Sequence, residues 1–161
     1  MDNVSILSEL QEAFTLAIKD NYNSYDCDTI VVDKSKIRDI LIHLRDRSGY
    51  IFLTDLCGVH HPDNELPFSV VYHLHNLEQN KRLRIKTYLS SNPSIDTVYD
   101  IFAAANWMER ETYDFYGIDF IGHPNLIRIL NVEYLDYFPM RKEYPLEDPT
   151  RADKDDRFFG R

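Results

Sequence analysis

The chain has 161 residues, 43% of them hydrophobic, and a formal net charge of −9. That is enough for one domain with its own core and too little for a second full domain. The acidity argues against a nucleic-acid binder, which needs clustered Lys and Arg to meet phosphates, and disfavours direct adsorption to an anionic bilayer. No apolar run approaches the ~20 residues that span a membrane. The N-terminus carries Asp2, Glu9 and Glu12, unlike a signal or transit peptide. Cys27 and Cys57 stand alone, without the spacing of an iron–sulfur or zinc site, and imply a compartment where thiols stay reduced.

From Val4 to Lys19, Ile6, Leu7, Leu10, Phe14, Ala17 and Ile18 recur at helical spacing, which predicts an amphipathic helix stopped by Asn21 to Asp26. Thr29 to Val32 is a β-branched strand. Asp33 or Ser35 then caps a helix with the apolar stripe Ile37, Ile40, Leu41 and Leu44, closed by Ser48-Gly49. Tyr50 to Leu56 reads as a strand and Cys57 to Asn64 as a turn. Phe68 to Leu77 and Arg82 to Leu89 alternate on either side of Glu78 to Lys81 and predict a hairpin. In its second strand Leu83, Ile85, Thr87 and Leu89 face the core, and Arg82, Arg84, Lys86 and Tyr88 face away.

Ser94 is expected to cap a helix with the stripe Val98, Ile101, Phe102, Ala105 and Met108, running to Tyr116. Gly117 there supplies the residue that takes positive φ at a helix C-terminus. Ile118 to Ile121 reads as a short strand, turned by Gly122-His123-Pro124. The fold class is therefore α+β over residues 1–121: a mainly antiparallel sheet, with one parallel neighbour from the β-α-β start, covered by helices on one face. Residues 122–161 lack periodicity and form an extended C-terminal arm, with Phe158-Phe159 as its apolar anchor. Such an arm is fixed by partners or stays mobile.

Trp107 to Leu146, reading WMERETYDFYGIDFIGHPNLIRIL and later FPMRKEYPL, mixes rings, ions and prolines. Unpaired buried ions are costly and dense exposed rings are unusual, so the stretch reads as a contact surface between polypeptides. On a helix Arg110 and Asp114 are four apart and can pair, and Trp107 lies one turn before Glu111. Glu109, Glu111 and Asp114 are acid–base candidates, but the neighbouring Arg110 favours ionised carboxylates and an ion-pair network. His60, His61, Asp63 and Glu65, with Cys57 nearby, are metal-ligand types at poor spacing, better explained as a turn with solvated histidines. His73 and His75 share a strand face that lacks a third ligand. His123 suits a structural role in a turn, and Arg141 and Lys142, with Tyr144 and Pro145 fixing the backbone, look like anchors for acidic groups on a neighbour.

ERETYDFYGIDFIGHPNL followed by RIL and PMRKEYPL, with the preceding TVYDIFAAANW and FLTDLCGVHHP, closely resembles the thirty-kilodalton subunit family, or C subunits, of respiratory complex I, the proton-pumping NADH:quinone oxidoreductase. The resemblance covers roughly Tyr50 to Leu146. Ile127 and the segment EYLDYF depart from the family pattern, which affects local contacts in the linker. The resemblance implies a non-catalytic subunit of the peripheral, quinone-module arm of a bacterial complex. It would support electron transfer from NADH to quinone coupled to proton translocation. It would carry no cofactor, with iron–sulfur clusters, FMN and quinone held by partner subunits. Partners would be the quinone-binding and iron–sulfur subunits, and membrane association at the cytoplasmic side of the inner membrane would come only through the complex. The contact residues would be Trp107, Glu109, Arg110, Glu111, Asp114, Tyr116, Gly117, His123, Pro124, Arg128, Pro139, Arg141, Lys142, Tyr144 and Pro145. Two alternatives stay open: the equivalent subunit of a related membrane-bound hydrogenase or ferredoxin-linked complex, and a stand-alone carboxylate enzyme using Glu109 and Glu111.

Overall fold

The computed structural model describes residues 3–145; the Phe158-Phe159 anchor lies outside them. Helix α1 (Asn3–Ala13) is followed by β1 (Ile18–Ser24), β2 (Cys27–Val32), α2 (Ile37–Asp46), β3 (Phe52–His60), β4 (Phe68–Asn76), β5 (Lys81–Leu89), β6 (Ser94–Asp96), α3 (Ala105–Tyr116) and β7 (Asp119–Ile121). Five strands make one sheet in the order β1-β2-β5-β4-β3, and β6 and β7 pair in parallel beside it. Within the large sheet only β2 and β5 run parallel. The α+β class with a mainly antiparallel sheet is therefore what the chain adopts.

Side chains of one sheet face, including Ile30, Leu56, Val70, Tyr72, Leu83 and Ile85, join Leu10 of α1, the α2 stripe and Ala105 of α3 in a single core. The stripe Ile37, Ile40, Leu41 and Leu44 is entirely buried. Asp33 accepts from the Ser35 amide at 3.0 Å and from its hydroxyl at 2.8 Å, closing the turn that leads into α2. Gly49 (φ 74°) closes the other end, and the Tyr50 amide donates to the Leu44 carbonyl at 3.0 Å. Glu9 pins α1 to α2 by accepting from His43 at 2.7 Å and from Ser48 at 2.9 Å.

Four expectations are corrected. The opening helix stops at Ala13, and Ile18–Ser24 is an edge strand that turns into β2 through Tyr25 and Asp26, both at positive φ. Ala17 and Ile18 kept helical spacing by coincidence, and the polar run IKDNYNS hid the strand because an edge strand needs no apolar face. Strand β3 continues to His60, where a turn was expected. Ser94 belongs to β6 and caps no helix. Val98, Ile101 and Phe102 are buried from turns before α3, which begins at Ala105.

Candidate functional site

Helix α3 reaches β3 because residue 58 is glycine. A Cβ there would lie 2.8 Å from the Tyr116 ring and 2.9 Å from the Thr112 methyl, so any side chain lifts the helix away. The helix ends at Gly117 (φ 69°), whose amide donates to the Tyr113 carbonyl at 2.8 Å. Arg141 Nε caps the same end by donating to the Tyr116 carbonyl at 2.7 Å. Gly117 has a second reason to lack a side chain: a Cβ would meet the Phe138 ring at 2.5 Å.

Glu109 is buried on the side of α3 that faces β6 and β7. The Val98 amide donates to its Oε1 at 2.7 Å, and its Oε2 shares a hydrogen bond with the Thr97 hydroxyl. Burial pushes the carboxyl up to about 7, against the pull of those two hydrogen bonds. His123 lies 4.0 Å from Oε2 but spends its ring elsewhere. Its Nε2 donates to the Asn106 carbonyl at 3.0 Å, and its Nδ1 accepts from the Asn125 amide at 3.1 Å.

Asp114 is equally buried and does the opposite work. Its Oδ2 accepts from three consecutive amides, Ile129 (3.1 Å), Leu130 (2.8 Å) and Asn131 (2.8 Å). Its Oδ1 accepts from Arg128 Nη1 at 2.7 Å and Asn131 Nδ2 at 3.1 Å. Burial alone would raise its pKa; the Asn131 amide, the Arg128 guanidinium and the Leu130 and Ile129 amides outweigh it and hold the carboxyl well below the usual range. Arg128 donates onward to the carbonyls of Asp114, Leu135 and Tyr137. Its guanidinium and that of Arg141 stack on Phe138, at 5.0 and 4.8 Å from the ring centroid. Residues 122–145 contain no helix or strand. They nevertheless form a strap tied to α3 by one carboxylate, Asp114, and three guanidiniums, Arg110, Arg128 and Arg141.

This geometry divides the expected contact residues. Glu109 and Asp114 were expected at a boundary with another polypeptide; both are buried inside the chain itself, because the segments that satisfy them are its own. The Arg110–Asp114 pair is not formed. Arg110 donates to the carbonyls of Ile127 and Arg128 at 3.2 and 3.1 Å, and Asp114 takes Arg128. Tyr116, Gly117, His123, Pro139 and Arg141 are half-buried against the strap or α3, while Trp107, Glu111, Pro124, Lys142, Tyr144 and Pro145 are exposed. Trp107, 58% exposed, and Glu111 mark the open side of α3. Glu109, Glu111 and Asp114 are not brought together, since two are tied to different segments and the third points to solvent.

The histidines also differ from expectation. His60 is buried, stacked on Phe68 with ring centroids 4.4 Å apart, and its Nδ1 accepts from the Lys142 amide at 3.0 Å. Burial lowers its pKa. His73 Nε2 accepts from Arg84 Nε at 2.8 Å. Burial and the Asp55 charge push the Cys57 thiol up to about 11. Among the described residues no three His, Cys, Asp or Glu side chains gather where they could hold a metal ion. Sequence reading missed Thr97, Asn131 and Phe138, and also an outward apolar row on the strap: Ile127, Leu130, Val132 and Tyr134. The available signal was the apolar run LIRILNV, broken only by Arg128 and Asn131.

Fold and site together define a small α+β domain, a mixed sheet whose last helix carries an anchored strap with exposed apolar side chains. Residues 30–150 match the family described as respiratory-chain NADH dehydrogenase, 30 Kd subunit. The C subunit of the NADH-quinone oxidoreductase of Methylobacterium sp. (strain 4-46) is 39% identical over 156 residues, covering 94% of this chain and 73% of that protein. Among solved structures, a trypsin-resistant fragment of Nqo5 (residues 1–134) superposes with a TM-score of 0.67 at 28% identity, covering 78% of this chain and 100% of the fragment. A chain of the membrane-bound sulfane sulfur reductase, an archaeal respiratory membrane complex, gives a TM-score of 0.75 at 26% identity, covering 89% of this chain and 86% of that one. The chain belongs to the 30 kDa subunit family of respiratory-chain NADH dehydrogenase, which holds the C subunits of bacterial NADH-quinone oxidoreductases.

Proposed function

We propose that this chain is a non-catalytic building subunit of the peripheral arm of NADH:quinone oxidoreductase. It packs against the quinone-binding and iron–sulfur subunits, which hold the clusters, FMN and quinone, on the cytoplasmic side of a bacterial inner membrane. Its role is to fix their spacing for electron transfer from NADH to quinone and the coupled proton translocation, because placement of neighbouring groups within about 0.5 Å decides whether such sites work. No helix among the described residues is long and apolar enough to cross a membrane; in this reading the chain is attached through its partners.

The observation that carries this reading is the strap. Leu130 is 65% exposed and Tyr134 87% exposed on a segment whose backbone is held by a buried carboxylate. A mobile tail with apolar side chains would pay an ordering cost on docking; a strap already fixed by Asp114 avoids it. The test is a complex purified through a tag on another subunit, with Leu130→Asp and Tyr134→Asp in this chain. The expected result is loss of the chain from the complex at unchanged melting temperature of the isolated chain; full retention refutes the reading. The likeness to a chain of an archaeal respiratory membrane complex supports a second reading, the equivalent subunit of a related complex. The identity of the co-purifying subunits, flavin- and NADH-binding or not, separates the two.

A further inference from the structure

The large sheet has a second face that none of the three helices covers. Strand pairing places Thr29 and Val31 of β2, Arg82, Arg84 and Lys86 of β5, and Val71, His73 and His75 of β4 on it, opposite the core residues Ile30, Val70 and Ile85. Val31 and Val71 are buried yet stand outside the core cluster, a floor beneath longer side chains. Over that floor β5 stacks three cations at alternate positions, roughly 7 Å apart along the strand.

The chain as a whole is acidic, with a net charge of −9. Among the described residues, none of these three cations is paired with a carboxylate. Arg84 donates to His73 Nε2 at 2.8 Å and to the Thr29 hydroxyl at 3.3 Å, and Lys86 Nζ sits 4.6 Å from the Tyr88 ring centroid. The acids on this face stand on its outer strands, Asp20 across from Val31, and Asp55, whose Oδ2 is 3.4 Å from His73 Nδ1. Like charges stacked on one strand face cost the isolated chain stability, and a counter-charge from outside offsets that cost. At the Tyr88 end of the column a pocket of about 520 Å³ opens between Val31, Leu66, Tyr88 and Leu89, with Leu66 43% exposed; Asp20, Lys34 and the Lys19–Asp33 ion pair (3.5 Å) also line it.

We infer that this helix-free face is a second docking surface, taken by a carboxylate-bearing protein segment. Its acidic side chains meet Arg82, Arg84 and Lys86, and one apolar side chain fills the pocket beside Leu66 and Tyr88. Nucleic acid and anionic lipid are disfavoured as occupants because the chain's net negative charge repels extended polyanions. The inference stands on this face's own charges and pocket and does not need the strap reading. With both, the chain is held at two separate surfaces.

The test uses the assembled complex containing the full chain. A photo-crosslinking side chain at position 82 is expected to capture another subunit at a segment rich in Asp and Glu. Arg82→Glu with Lys86→Glu is expected to lower retention of that subunit about tenfold at low salt, with the melting temperature of the chain not lowered and the strap-held partner still attached. High salt should reproduce the loss in the unmodified protein. If charge reversal disturbs folding, Arg82→Gln with Lys86→Gln gives the same reading with a smaller loss. Unchanged assembly in the folded variants overturns the inference, as do crosslinks only to a second copy of this chain, to lipid or to nucleic acid. A failed strap reading shows itself separately, as retention of Leu130→Asp with this face intact.

Discussion

Asp114→Ala removes the carboxylate that five donors converge on, three of them consecutive backbone amides. What remains in the closed geometry is a buried Arg128 guanidinium without a counter-ion. Breaking a buried pair by deleting one partner costs about 3–5 kcal/mol, and each buried amide left without an acceptor adds about 1–3 kcal/mol. The strap escapes most of that penalty by lifting into water, so the damage is local opening and not global unfolding. Taking the lower bound, about 3 kcal/mol, hydrogen exchange at the amides of Ile129, Leu130 and Asn131 should accelerate by roughly a hundredfold. Amides in the β4–β5 ladder should keep their protection. Arg128→Ala added to Asp114→Ala should cost little more, because the first change already broke the pair. Full additivity of the two, or equal loss of protection in β4 and β5, would refute the strap as a separately anchored unit. The sign of the pH dependence follows from the lowered Asp114 pKa. Its contribution is present above the ordinary value of 3.8 and fades only as pH falls below it, so the strap should stay closed through mildly acid solution.

Glu109 gives the reverse dependence. Its pKa is raised from 4.5 to about 7, so the folded state holds a proton that the unfolded chain releases. Its stabilising contribution is full below 4.5 and declines by about 3 kcal/mol as pH rises through 7. Glu109→Gln should flatten that part of a urea-denaturation series run from pH 5 to 8; an unchanged slope would mean the carboxyl is not the titrating group. Gly58→Ala should destabilise by about 1–3 kcal/mol by overpacking, seen in chemical denaturation, since its Cβ meets Tyr116, Thr112 and Ile118 within 3.2 Å. Gly117→Ala should cost at least about 2 kcal/mol, because it meets a left-handed backbone and the Phe138 ring together, and strap protection should fall with it.

The hairpin of β4 and β5 was legible because its alternation is set by burial of one face, and the two strands run as expected to within a residue. The α2 stripe and its Asp33 cap were legible for the same local reason. Edge strand β1 was not, since IKDNYNS is paired on one side only and carries no apolar period. The parallel neighbour of β2 turned out to be β5, a choice made by long-range packing and invisible in local spacing. At the site, composition marked Trp107 to Leu146 as a contact surface between polypeptides, and the physical premise was too narrow. Burying ions requires partners, and a strap of the same chain can supply them as well as another protein can. Thr97 and Asn131 were missed because single hydrogen-bonding side chains in loops leave no periodic trace.

The two buried acids of α3 show how one helix serves as a spine. Positions 109 and 114 are five apart, about 140° around the axis, so their carboxyls leave the helix on different sides. One takes the turn after β6 through Thr97 and Val98; the other takes the strap through residues 128–131. Thr112 and Tyr116 meet Gly58 on a third side. The side bearing Trp107 and Glu111 is left open. The two acids differ in protonation for a reason that geometry supplies. Glu109 receives one amide and a hydroxyl, too little to stabilise a buried charge, so burial wins. Asp114 receives three amides and a guanidinium, and the charge wins. Because each carboxyl ties a different segment to the same helix, exchanging their surroundings would undo both, and a substitution at either should leave the other's hydrogen bonds in place.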